Sequence, residues 1–114
     1  MPITFSEHNP KTIDEAVALI VAALDAQERA IVKSSETVEW HHSVGRKMRN
    51  EWHLWSNGPL VENARELYGV SHADDVSGLI LHGLFATIKG QRIDYQSVAD
   101  RYIAHWAKYQ KEVG

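Results

Sequence analysis

Residues 73–89 read ADDVSGLILHGLFATIK, and this stretch decides the fold. At 100° per residue, Val76, Leu79, Ile80, Leu81, Leu84, Phe85 and Ile88 cover most of a helix circumference. A helix that is apolar nearly all round needs neighbours on several sides, so a central helix is predicted, stopped by Gly90. Gly78 and Gly83 each cost helix propensity of ~1 kcal/mol relative to alanine. They are read as places where neighbouring backbones approach closely.

Working outward, the carboxy-terminal side carries Asp94 as a cap for a helix over 95–112. Its stripe is unusually aromatic: Tyr95, Val98, Tyr102, Ile103, Trp106 and Tyr109. On the amino-terminal side, Pro59 suits the first turn of a helix ending at Gly69, preceded by a Ser56-Asn57-Gly58 loop. A long helix is predicted over 36–55, with Val38, His41, Val44, Gly45, Met48, Trp52 and Trp55 on one face. Glu39, Ser43, Lys47, Asn50 and Glu51 fall opposite, and His42 and Arg49 lie at the edge. Thr12 with Glu15 forms a capping box for a helix over 13–24, with Ile13, Val17, Ile20, Val21 and Leu24 inward. Asp25 caps a short helix to Lys33 with Ile31 and Val32 inward. Residues 1–11, with Pro2 and Pro10, form an irregular lead-in. No strand pattern emerges. The expectation is an all-α, compact orthogonal bundle of five to six helices, one domain over 1–114.

Composition agrees with a globular domain. The 114 residues are 44% hydrophobic and 24% charged, enough for a core and too apolar for disorder. The net charge of −3 is spread evenly between the halves, so neither nucleic acid nor an anionic membrane is indicated. With no cysteine, disulfide scaffolds, thiolate zinc sites and cysteine nucleophiles are excluded. The longest apolar stretch, Ala16–Leu24, is too short to span a bilayer, and the first residues lack a secretory pattern. A cytoplasmic protein is expected.

Four chemical readings present themselves. His41, Arg49, Asp74 and Asp75 can form a polar constellation, acting as base and clamp. The structural alternative is that His72 or Ser71 caps the central helix. Asp74 and Asp75 then favour its positive end, and Arg49 pairs with one of them across two helices. Seven histidines invite a metal reading. However, no His-x₃-His pair or HExxH is present, and adjacent His41 and His42 diverge by about 100° on a helix. Arg46, Lys47 and Arg49 near Trp40, Trp52 and Trp55 resemble a stacking surface. Glu36, Glu39 and Glu51 on the same helix argue against it. Finally, Tyr95, Tyr102, Trp106 and Tyr109 form a candidate protein interface, since such rings join apolar area to a polar tip. Packing into the protein's own core explains the same stripe. No metal and no cofactor is expected.

Two motifs carry a resemblance. His41, Gly45, Arg49, Asn50, Trp52, Leu54 and Trp55 spell H-x₃-G-x₃-R-N-x-W-x-L-W, and His72, Asp74, Asp75 and Ser77 spell H-x-D-D-x-S. Together they resemble a small bacterial and phage family of unknown function, over roughly residues 12–90. Ala73 stands where that family has proline, and the aromatic helix lies outside the match. The resemblance implies that His41, Arg49 and Asp75 belong to one constellation, and it supplies no activity. By analogy, small helical phage and mobile-element proteins block host factors. The expected function is a non-enzymatic protein-binding module that modulates a bacterial factor such as a defence component. Its partner is another protein or a second copy. A small enzyme or small-molecule site at His41, Arg49 and Asp75 is the alternative.

Overall fold

Ile13, Leu79, Ile80 and Leu84 are fully buried where helical periodicity places them, and the architecture grows from that agreement. The computed structural model describes residues 4–113, with side chains through residue 110; the reading of Met1–Ile3, including Pro2, lies outside the described residues. After a short 3-10 turn at Phe5–Glu7 come α1 (Ile13–Ala23), α2 (Ala26–Lys33), α3 (Thr37–His41) and α4 (Val44–Glu51). They are followed by α5 (Pro59–Tyr68), α6 (Ala73–Lys89) and α7 (Tyr95–Val113). Among the described residues there is no strand, and no helix is long and apolar enough to cross a membrane. The protein is all-α, with α6 at the centre touching each of the other six helices.

Local chemistry sets the boundaries. Thr12 accepts a hydrogen bond from the Glu15 amide, and Asp25 forms a reciprocal capping box with Glu28. Pro59 opens α5, while Gly69 and Gly90 end α5 and α6 in the left-handed conformation. Asp94 accepts from both the amide and hydroxyl of Ser97, starting α7.

The expected helix over 36–55 is divided. The chain breaks between His41 and Val44, where Ser43 leaves helical geometry (φ −106°, ψ −86°) and donates its hydroxyl to the Trp40 carbonyl. The released His41 carbonyl accepts from Arg49 Nη2 at 3.2 Å. A second departure follows α4. His53 takes φ +53°, and the Leu54 amide reaches back to the Arg49 carbonyl at 3.0 Å, the pattern of a Schellman stop with histidine in the usual glycine place. Leu54 is thereby buried and Trp55 turned out. Val38 and Trp55, placed on the buried face by a continuous helix, are 71% and 62% exposed.

Other expectations change for packing reasons. Ile31 is half-exposed and only Val32 of that pair is buried. The lead-in is docked: Phe5 is buried edge-on against Trp52, whose indole donates to the Phe5 carbonyl at 2.8 Å. Gly78 and Gly83 admit side chains rather than backbones. A Cβ on Gly78 would overlap the Tyr102 phenol, and one on Gly83 the Tyr95 phenol and Val17.

Candidate functional site

The first turn of α6 organises the polar groups. His72 Nδ1 accepts from the Asp74 amide at 3.1 Å, so the histidine caps the helix. Asp74 and Asp75 then leave the helix in different directions. Asp74, half-exposed, meets Arg49 Nε at 3.3 Å. Arg49 is only 6% exposed and also donates Nη1 to Ser77 Oγ at 3.0 Å. With its Nη2 bond to the His41 carbonyl, the guanidinium ties α3, α4 and α6 together. Gly45 makes room for it, since a Cβ there would stand 2.9 Å from Nη1.

The predicted constellation is therefore rearranged. Arg49 pairs with Asp74 and not with Asp75, and His41 contributes its carbonyl to Arg49 and not its imidazole. Asp75, 8% exposed, accepts the Trp106 indole N–H at Oδ2, 2.8 Å away. Sequence spacing within one helix cannot foresee this bond, because it joins residues 31 positions apart.

The aromatic stripe of α7 is split in two. Tyr95 and Tyr102 are half-buried in the notches over Gly83 and Gly78, and Tyr95 packs against Tyr68 at 5.4 Å. They do not join the open face assigned to them. Burial pushes the Tyr95 phenol up to about 12, helped by the negative charge of Asp14. Trp106 and Tyr109 stay exposed, and every residue from Ile103 to Gln110 is exposed with them. Trp106, 37% exposed, stands 5.0 Å from the His72 ring and 6.0 Å from Tyr109. Trp55 meets the other side of His72 at 5.5 Å. Trp55, His72, Trp106 and Tyr109 thus form one open aromatic row crossing three elements. Sequence reading missed Trp55 as a member, because Trp55 joins only through the turn at His53.

Two cavities flank this row. A groove of about 410 Å³ lies between the Gly69–His72 connection and Ile103, Trp106 and Gln110 of α7. A cleft of about 270 Å³ lies between α3, α6 and α7, with His41, Asp74, Asp75, His82 and Tyr102 as its polar walls. Asp75 lines both. Burial lowers the His41 pKa, reinforced by the nearby Arg49 charge. Burial likewise lowers that of His82, with Arg101 adding to it. Asp75, Gly78 and His82 at i, i+3 and i+7 share one α6 face.

The remaining readings resolve simply. Among the described residues, no three histidine or acidic side chains converge as a metal set. His41 and His42 do touch ring to ring at 4.9 Å. Arg46, Lys47 and Trp55 are exposed, whereas Trp40 and Trp52 pack inward on Phe85 and Phe5.

No curated protein and no solved structure matches the chain. One family does, over residues 9–87, which takes in α1 to α5 and nearly all of α6 and leaves α7 outside. By that match the chain belongs to the family described as a domain of unknown function, DUF6794.

Proposed function

We propose that this protein is a non-enzymatic protein-binding module whose contact surface is the open row of Trp55, His72, Ile103, Trp106 and Tyr109. The observation that carries the reading is the hydrogen bond from Trp106 to Asp75. A tryptophan that is exposed yet fixed by a buried carboxylate loses little rotamer freedom on binding, and such rings make anchors at interfaces. The groove beside it offers room for a large apolar side chain of the partner.

Charge indicates the partner's chemistry. Residues 101–114 carry three basic and one acidic side chain, whereas the other hundred carry nine and fourteen. A partner with an apolar ridge flanked by carboxylates complements this helix and finds the rest of the molecule repulsive. The motif resemblance at His41–Trp55 and His72–Ser77 supports a phage or mobile-element origin. A cytoplasmic bacterial factor, such as a defence component, is then the target modulated. Arg49 has Nε, Nη1 and Nη2 all engaged, which leaves an enzyme built on His41, Arg49 and Asp75 without its clamp.

The test is capture from bacterial lysate, followed by reconstitution with the purified partner and measurement of Kd. Trp106→Ala with Tyr109→Ala is expected to weaken binding by about 100-fold, the scale of truncating interface anchors, with helical content retained. Unchanged affinity in a folded variant overturns the face. Light scattering distinguishes a second copy as the occupant.

A further inference from the structure

Asp75 holds a charge that the rest of the molecule does not balance. Its neighbour Asp74 has the Arg49 guanidinium, whose Nη1 and Nη2 are turned to Ser77 and the His41 carbonyl. Asp75, although 8% exposed, has no cationic partner among the described residues; its hydrogen bond comes from the neutral Trp106 indole to Oδ2. A buried carboxylate is costly unless compensated. Among the described residues the second oxygen, Oδ1, has no donor, and it is not sealed off, since none of their fully buried side-chain oxygens lacks a partner. Asp75 lines both the 270 Å³ cleft and the 410 Å³ groove.

The other walls suit the same kind of occupant. His41 and His82, held towards the neutral form by burial, offer acceptor nitrogens without competing charge. Tyr102, seated over Gly78, presents its ring to the cleft, and its hydroxyl has no hydrogen-bond partner among the described residues. Val38 and Leu81 supply apolar wall for an alkyl stem. The charges facing the cleft are Asp74, Asp75 and, through Asp74, Arg49. Arg101 approaches from α7 but is exposed and screened. One negative charge is left over in an acceptor-rich, aromatic-walled cavity.

We propose that the cleft between α3, α6 and α7 binds a small organic monocation, an alkylguanidinium or alkylammonium group. The Asp75 carboxylate is its counter-ion, Tyr102 its cation–π wall, and Val38 and Leu81 cover its stem. The group comes from a free small molecule or from an arginine or lysine side chain of a partner, and its chemistry is the same in either case. The site shares Asp75 with the open aromatic row, whose Trp106 it holds, and cation binding in the cleft is read separately from partner binding on the row.

The experiment titrates the full chain with methylguanidinium and butylammonium, with urea as the uncharged isostere, followed by NMR of the Tyr102 and His82 side chains. Saturable shifts are expected for both cations, with urea at least tenfold weaker. Asp75→Asn keeps the volume and an acceptor for the indole, and is expected to weaken cation binding at least tenfold. Val38→Arg, made at an exposed rim position, is a second variant that leaves the core untouched. Its own guanidinium is expected to occupy the cleft and weaken added methylguanidinium at least tenfold. N-acetyl-arginine amide distinguishes the sources: affinity equal to methylguanidinium points to a partner side chain, and a tenfold loss to a free ligand. Absence of saturable shifts, equal binding of urea, or unchanged affinity in both variants overturns the proposal.

Discussion

Arg49 donates hydrogen bonds to Ser77 and the His41 carbonyl, both neutral, and forms an ion pair with the Asp74 carboxylate. Its contribution should therefore rest more on satisfied hydrogen bonds than on the ion pair. Arg49→Met is expected to cost about 2–4 kcal/mol in urea unfolding, because Ser77 and the freed carbonyl lose their donor. Asp74→Asn should cost less than about 1 kcal/mol, since that carboxylate is half-exposed and water replaces the cation. Equal losses for the two would assign the energy to the ion pair instead. His53 supplies a converse case. Its left-handed backbone is the one non-glycine positive φ among the described residues. His53→Gly is expected to raise stability by about 0.5–1 kcal/mol through relief of Cβ crowding, measured as a shift in urea midpoint. A loss would mean that the exposed imidazole makes a stabilising contact of its own.

Between elements, the packing of α7 on α6 depends on two glycine notches that differ in tolerance. At Gly83 an added methyl meets the Tyr95 phenol and Val17 together, so neither can retreat without moving α1 or α7. Gly83→Ala should destabilise by about 1–2 kcal/mol, the overpacking cost less the propensity gained. At Gly78 the nearest obstacle is the Tyr102 phenol, whose residue borders the open cleft and can swing into it. Gly78→Ala should be close to neutral in thermal unfolding. Tyr95→Phe should recover part of the Gly83→Ala loss by removing the overlapping hydroxyl, whereas Tyr102→Phe should do little for Gly78→Ala. The α3–α4 break belongs to this scale as well. A continuous helix would bring Val38 into register with Met48, but the Arg49 bond to the His41 carbonyl requires that carbonyl to leave the helical ladder.

For the whole molecule, titration should bound the stable pH range from both ends. His41 and His82 have folded pKa values below the unfolded 6.5, so the unfolded chain binds more protons as pH falls through that region. Stability is then lost on acidification below about pH 6.5 and levels off beneath the folded values. Tyr95, raised from 10 to about 12, works in the opposite direction: the unfolded phenol ionises first, so stability falls between those values. Urea midpoints should be highest between about pH 7 and 9.5, and His82→Gln should flatten the acid limb. An unchanged acid limb in that variant would show that the carboxylates, including capping Asp94 with its lowered pKa, set it instead.

The all-helical class, the central place of residues 73–89 and the caps at Thr12, Asp25, Pro59, Gly69, Gly90 and Asp94 were determined locally. Apolar periodicity and capping chemistry act within a few residues, and the sequence alone carries them. The division of residues 36–55 was not legible, because it depends on Arg49 reaching a carbonyl eight residues back once α6 is in place. Nor were the partners of Asp74 and Asp75, which sit side by side yet face α4 and α7 respectively. The aromatic stripe showed the same limit: one helical face reads uniformly from Tyr95 to Tyr109. Only the position of α6 beneath it decides that Tyr95 and Tyr102 sink into glycine notches while Trp106 and Tyr109 remain at the surface. Local periodicity specifies which side of a helix is apolar, and the length of the neighbour it packs on specifies how much of that side is covered.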